Sequence, residues 1–111
     1  MIEYRIRVEQ EDIPVRGNII DSGDPAYDRR VENGILRRLD AGDVWAWALV
    51  TVECVVDGLV LGRSSLGGCS YKNERDFIRS SGHYDYLKAE ALAEARAHAE
   101  KVCAAFAPVA E

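Results

Sequence analysis

A two-layer α+β domain is what this sequence predicts: a mainly antiparallel sheet, a first helix after the N-terminal strand and a long C-terminal helix, with the helices chiefly on one sheet face. Three observations carry that prediction. Polarity alternates over residues 2–8, a capped helical pattern follows Asp24, and an apolar run from Val44 turns back at Asp57-Gly58 ahead of an alanine-rich helical pattern. The 111 residues suffice for a single domain spanning 1–111, able to bury roughly two-thirds of the surface its unfolded chain exposes.

The first strand places Ile2, Tyr4, Ile6 and Val8 on one face and Glu3, Arg5, Arg7 and Glu9 on the other. Residues 11–23 hold Pro14, Gly17-Asn18 and Asp21-Ser22-Gly23, a turn-rich crossing segment that Ile13, Val15, Ile19 and Ile20 can anchor and that has room for a short edge strand. Asp24 before Pro25 reads as an N-cap with proline at the first helical position, and Gly42 as the stop, giving a helix over residues 25–41. Tyr27, Val31, Ile35 and Leu39 form its apolar stripe, and Gly34 marks a close approach to a neighbour.

A strand is predicted from Val44 to Val56, apolar on both faces at first and solvated on one face from Thr51. Asp57-Gly58 specifies a type I′ hairpin, whose unbroken register sets Val56 opposite Leu59, Cys54 opposite Leu61 and Trp47 opposite Gly68. Asn73 caps a short helix with Asp76 as its capping-box acid, and Gly82 ends it. The last helix covers residues 84–106 with a buried stripe of Leu87, Ala91, Ala95, Ala99, Val102 and Phe106, and Pro108 closes it.

Composition narrows the function classes. The longest apolar run, residues 44–52, falls far short of the roughly 20 residues that span a bilayer, and the first residues lack the basic start and apolar stretch of a secretory signal. A cytoplasmic protein with no membrane partner is expected. Cys54, Cys69 and Cys103 fit neither a disulfide framework nor a zinc spacing. The net charge of −5 is spread along the chain, which gives no general attraction to nucleic acid or anionic membrane but suits a basic partner.

No motif assembles a catalytic or metal site. Gly62 and Gly67 have the spacing of a phosphate-binding loop, but Gly68-Cys69 stand where the chemistry needs lysine and then serine or threonine. Cys69, with His83 and Asp85, could supply a nucleophile, base and orienter only if the fold brought them together; Cys54, Cys69 and His83 lack a recognised ligand spacing. Arg29, Arg30, Arg37 and Arg38 suggest a nucleic-acid stripe, though Asp28, Glu32 and Asp40 are interleaved as in a solvated, ion-paired helix face. Trp45 and Trp47, with Tyr71, Tyr84 and Tyr86, are either an aromatic interface or core beneath the helices. Asp21, Asp28 and Glu32 cluster with the capping Asp24 near the start of the first helix, as an acidic contact surface for a basic groove or as solvated charges.

The segments Ile13-Pro14-Val15-Arg16-Gly17-Asn18, Ser22-Gly23-Asp24, Gly42-Asp43-Val44-Trp45-Ala46-Trp47, Leu66-Gly67-Gly68-Cys69-Ser70-Tyr71 and Asp76-Phe77 together resemble a family of small bacteriophage and prophage proteins. The similarity runs from Ile13 to Leu92 and carries no catalytic residues. It implies a setting: small acidic phage proteins include host-takeover and anti-defence factors, CRISPR–Cas inhibitors among them, that bind and block a host complex.

The leading expectation is therefore a phage accessory protein, non-enzymatic, that inhibits a host defence complex, itself one that binds nucleic acid, with Asp21, Asp28, Glu32, Trp45 and Trp47 as partner-binding residues. Neither cofactor, metal nor small-molecule ligand is expected, and a homodimer stays open. The alternative is a phage regulatory or nucleic-acid-associated protein using the arginine face of the first helix; a third is a Cys69-dependent enzyme.

Overall fold

The computed structural model describes residues 1–80 and 82–108. Seven elements follow in order: β1 (Ile2–Gln10), α1 (Pro25–Asp40), a 3-10 turn (Val44–Ala46), β2 (Ala48–Val56), β3 (Leu59–Cys69), α2 (Glu74–Ser80) and α3 (His83–Ala105). The three strands make one antiparallel sheet in the order β1-β2-β3, so the predicted α+β class holds, with the sheet antiparallel throughout.

Even-numbered residues of β2 face the helices. Val50 and Val52 join Ala48, Cys69, Phe77 and Leu87 in the main core, and Cys54 meets Ala91 and Ala95 beside it. Glycine at position 62 lets α3 lie directly on β3: a Cβ there would strike the Ala91 carbonyl oxygen and the Ala95 backbone nitrogen. Among the described residues no helix packs on the sheet's other face.

The hairpin turn is of the predicted kind, with Asp57 at φ 50° and Gly58 at φ 82°. Val56 opposes Leu59 as expected, but the ladder then slips at Cys54/Val55 and again between Ala48 and Val50, so Cys54 opposes Gly62 and Ala48 opposes Cys69. Each slip adds a residue to β3, as a bulge does. Gly68 nonetheless lies against the Trp47 ring, to which a Cβ would come within 3.3 Å.

Two sequence expectations need correction, one just before β2 and one in the segment that leads to α1. Residues 44–46 form a 3-10 turn because the Asp43 carboxylate accepts the Trp45 N–H at 3.1 Å, capping a turn where an apolar run alone reads as strand. Residues 11–24 contain no strand; Val15 and Ile19 anchor the segment instead.

α1 is fixed at both ends. Asp24 accepts the Ala26 and Tyr27 N–H groups, while the Gly42 N–H donates to Leu39 and the Asp43 N–H to Arg38, a complete Schellman closure with Gly42 at φ 87°. Its stripe does not reach the sheet's broad face. Ile35, with Val31, Leu36 and Leu39 beside it, packs on Val15, Ala46 and Trp47 in a separate small core, and Tyr27 stays exposed. The molecule is accordingly long, 72 × 24 × 22 Å.

Gly34 marks no close approach, since a Cβ there meets nothing within 4 Å. Gly34→Ala is therefore expected to stabilise the protein by about 1 kcal/mol, a rise of several degrees in the thermal midpoint measured by circular dichroism.

The stripe of α3 is buried at Leu87, Ala91 and Ala95 but not to its end: Val102 is 43% and Phe106 85% exposed. α3 is already level with Gly62 at Ala91–Ala95. From there the ten residues to Ala105 rise about 15 Å, whereas the hairpin lies only about 10 Å on, so the helix overruns the sheet.

Candidate functional site

The acidic cluster at the start of α1 is partly committed within the fold. Glu32 is only 8% exposed: one carboxylate oxygen pairs with Arg16 at 3.3 Å and the other accepts the Gly17 N–H at 2.7 Å, fastening the crossing segment to the helix. Asp28 accepts the Ser22 hydroxyl and backbone N–H, closing the loop that leads into the N-cap. Asp21 and Asp24 stay exposed and Asp28 is half-buried, so Glu32 is the member of the expected contact cluster that the fold withdraws from the surface.

The tryptophans divide. Trp47 is 4% exposed, and its indole N–H donates to the Ile13 carbonyl at 2.6 Å, which makes it the centre of the small core and takes it out of reach of a partner. Trp45 is half-buried and packs with Tyr71 and Tyr84 around the fully buried Phe77, at ring separations of 5.2–6.5 Å. Those aromatics support one another at the sheet's end, and Tyr86 lies apart from them, exposed.

A cleft of about 420 Å³ brings together Trp47, Cys69, Tyr71 and His83. Inside it Cys69 donates to the Leu66 carbonyl at 3.2 Å, and burial, aided by the Glu11 carboxylate, pushes its thiol up to about 11. Near neutral pH that sulfur holds its proton, the opposite of an activated nucleophile. His83 Nδ1 is engaged by the Tyr71 hydroxyl at 2.5 Å, and Asp85 lies exposed on the first turn of α3. Cys54 lies in the separate cluster under Ala91 and Ala95, and among the described residues no three metal-ligating side chains gather.

The arginine stripe is also partly committed. Arg38 is bound to Asp43 at 2.8 Å and donates to the Tyr71 carbonyl, clamping α1 to the loop after β3, while Arg30 lies over the Tyr27 ring at 5.8 Å.

One residue that sequence reading passed over organises the glycine loop. Glu11 accepts the Gly68 N–H at 2.9 Å and the Asp12 N–H at 3.0 Å, and a Cβ on Gly67 would run into its carboxylate. Gly67 and Gly68 thus serve Glu11 and Trp47, with no phosphate cradle involved.

The sheet face away from the helices is lined by polar and charged side chains. Odd positions of all three strands project there: Glu3, Arg5, Arg7 and Glu9 from β1, Leu49, Thr51 and Glu53 from β2, and Arg63 and Ser65 from β3. Glu53 sits in register between Arg5 and Arg63, is 5% exposed and pairs with Arg7 at 3.5 Å, while Arg5 turns to Glu3 at 3.9 Å. Thr51 and Ser65 join hydroxyls across the strands at 2.7 Å. Between them lies a shallow depression of about 300 Å³ flanked by Arg7, Leu49 and Arg63. Alternation in β1 and the polar turn of β2 at Thr51 signalled this face in the sequence, in keeping with helices expected chiefly on the other.

No family model matches the chain, and comparison with curated proteins and with solved structures finds no match. Among the described residues no helix is long and apolar enough to cross a membrane.

Proposed function

We propose that the chain is a phage-type accessory protein that works by binding, without catalysis, and blocks a host complex through the open face of its sheet. The observation that carries this reading is the uncovered three-stranded face itself, with arginines and carboxylates ordered around Glu53 and a shallow depression between Arg7, Thr51, Arg63 and Ser65. Arg7 is well exposed above Glu53 and Ser65 is exposed, so the face offers hydrogen-bond donors and both signs of charge, which favours a protein surface over a uniformly anionic polymer. A Cys69 thiol held protonated supports a non-enzymatic role, and the use of Arg38 and Arg30 within the fold weakens the nucleic-acid alternative. The resemblance to small phage proteins supplies the host setting.

Ser65→Trp fills the depression from an exposed position and is expected to leave the fold intact. Tagged protein in nuclease-treated bacterial lysate should retain a defined protein complex that Ser65→Trp loses. Capture of nuclease-sensitive nucleic acid alone would overturn the reading, as would equal capture by the variant.

A further inference from the structure

β1 forms one free edge of the sheet. We propose that two copies of this chain pair antiparallel through β1, extending the three-stranded sheet to six strands about a twofold axis at Tyr4. β1 is an edge strand nine residues long with no bulge in its pairing to β2. The Glu11 N–H donates to the Trp47 carbonyl, so odd positions of this ladder exchange hydrogen bonds with β2, and the backbone groups of Ile2, Tyr4, Ile6 and Val8 point to the free edge. A long unbulged edge of this kind is a template for another strand.

The side chains on the same residues are also short of cover. α3 lies over β3 and β2, leaving Tyr4, Ile6 and Val8 half-buried and Ile2 50% exposed at the margin of an apolar cleft with Leu92 and Ala95.

Charge on the outward face selects the second copy and its register. The order Glu3, Arg5, Arg7, Glu9 is a palindrome. Centring the twofold on Ile6 would set Glu3 against Glu9 and Arg5 against Arg7 of the second copy. Centring it on Tyr4 sets each Glu3 against Arg5 of the other copy, Ile2 against Ile6, and the two Tyr4 rings together. Centring on Val8 also matches charges but places Ile6 against Gln10, losing the apolar pair. Opposite charges and aromatic pairs directly across an antiparallel ladder stabilise it, and like charges oppose it.

The test is sedimentation velocity on the full chain over a concentration series, read with amide hydrogen exchange. The expected result is a species of twice the chain mass in which the Tyr4 and Ile6 amides are protected and become fast-exchanging on dilution. Glu3→Arg, at a site 58% exposed, turns both symmetry-related charge pairs repulsive and should weaken the dimer about tenfold with the circular dichroism unchanged. Glu9→Arg lies outside the Tyr4-centred pairing and should not weaken it. A monomer at every soluble concentration, or a dimer whose Tyr4 and Ile6 amides exchange freely, would overturn the proposal. A dimer indifferent to Glu3→Arg but broken by Glu9→Arg would overturn the register.

Discussion

Trp47→Ala is expected to lower stability by about 3–5 kcal/mol, a large part of the roughly 5–15 kcal/mol that holds a domain of this size together. The indole is the largest member of the small core that joins Val15, Ile35 and Ala46, and its N–H satisfies the Ile13 carbonyl. Truncation leaves a cavity and an unpaired acceptor together. Because this core is separate from the one under α3, the loss should fall first on residues 12–43. Thermal unfolding followed by helix signal and by hydrogen exchange in β2 should then give non-coincident transitions, with α1 melting first. A single cooperative transition at the wild-type midpoint would contradict this account of α1.

Gly62→Val is the second large effect. Any Cβ at position 62 meets the Ala91 oxygen and the Ala95 nitrogen, which are backbone atoms of α3 and cannot rotate aside. The helix must lift from β3, which loosens the packing of Ala91 and Ala95 on Cys54. Overpacking of this kind costs typically about 1–3 kcal/mol for a small addition, and a branched side chain against backbone belongs at or above the top of that range. Gly62→Ala should cost less than Gly62→Val, and chemical denaturation of the pair measures the difference. Equal stability of both variants with wild type would show that α3 does not rest on β3 at this point.

The elements that could be read from sequence are those whose signals are local. β1 follows from alternation, the ends of α1 from Asp24-Pro25 and Gly42, the hairpin from Asp57-Gly58, and α3 from the spacing of Leu87, Ala91 and Ala95. What was hidden depends on distant partners. Glu32 looks like any surface carboxylate on a helix until Arg16, from a loop sixteen residues earlier, folds onto it. Glu11 shows no motif, yet it holds Gly68 from the far end of the hairpin. The two bulges add residues to β3 at points where nothing in 59–69 distinguishes a regular strand from a slipped one. Gly62 was visible only as half of a failed phosphate-loop spacing; its use as a seat for α3 depends on which helix arrives there.

The candidate site was the least legible part for the same reason. Alternation predicts which side chains of β1 and β2 share a face, and Arg63 and Ser65 then follow from the pairing. Whether that face is open depends on where α1 goes, and α1 goes to the end of the sheet because Trp47, Val15 and Ile35 hold it there.

Mapping the captured partner's footprint by amide chemical-shift changes in the isotope-labelled chain tests the central claim most directly. The account predicts that the perturbed amides concentrate at Arg5, Arg7, Thr51, Glu53, Arg63 and Ser65 on the open sheet face. Perturbation centred instead on Asp21, Arg29 and Arg37, with the sheet unaffected, would contradict it.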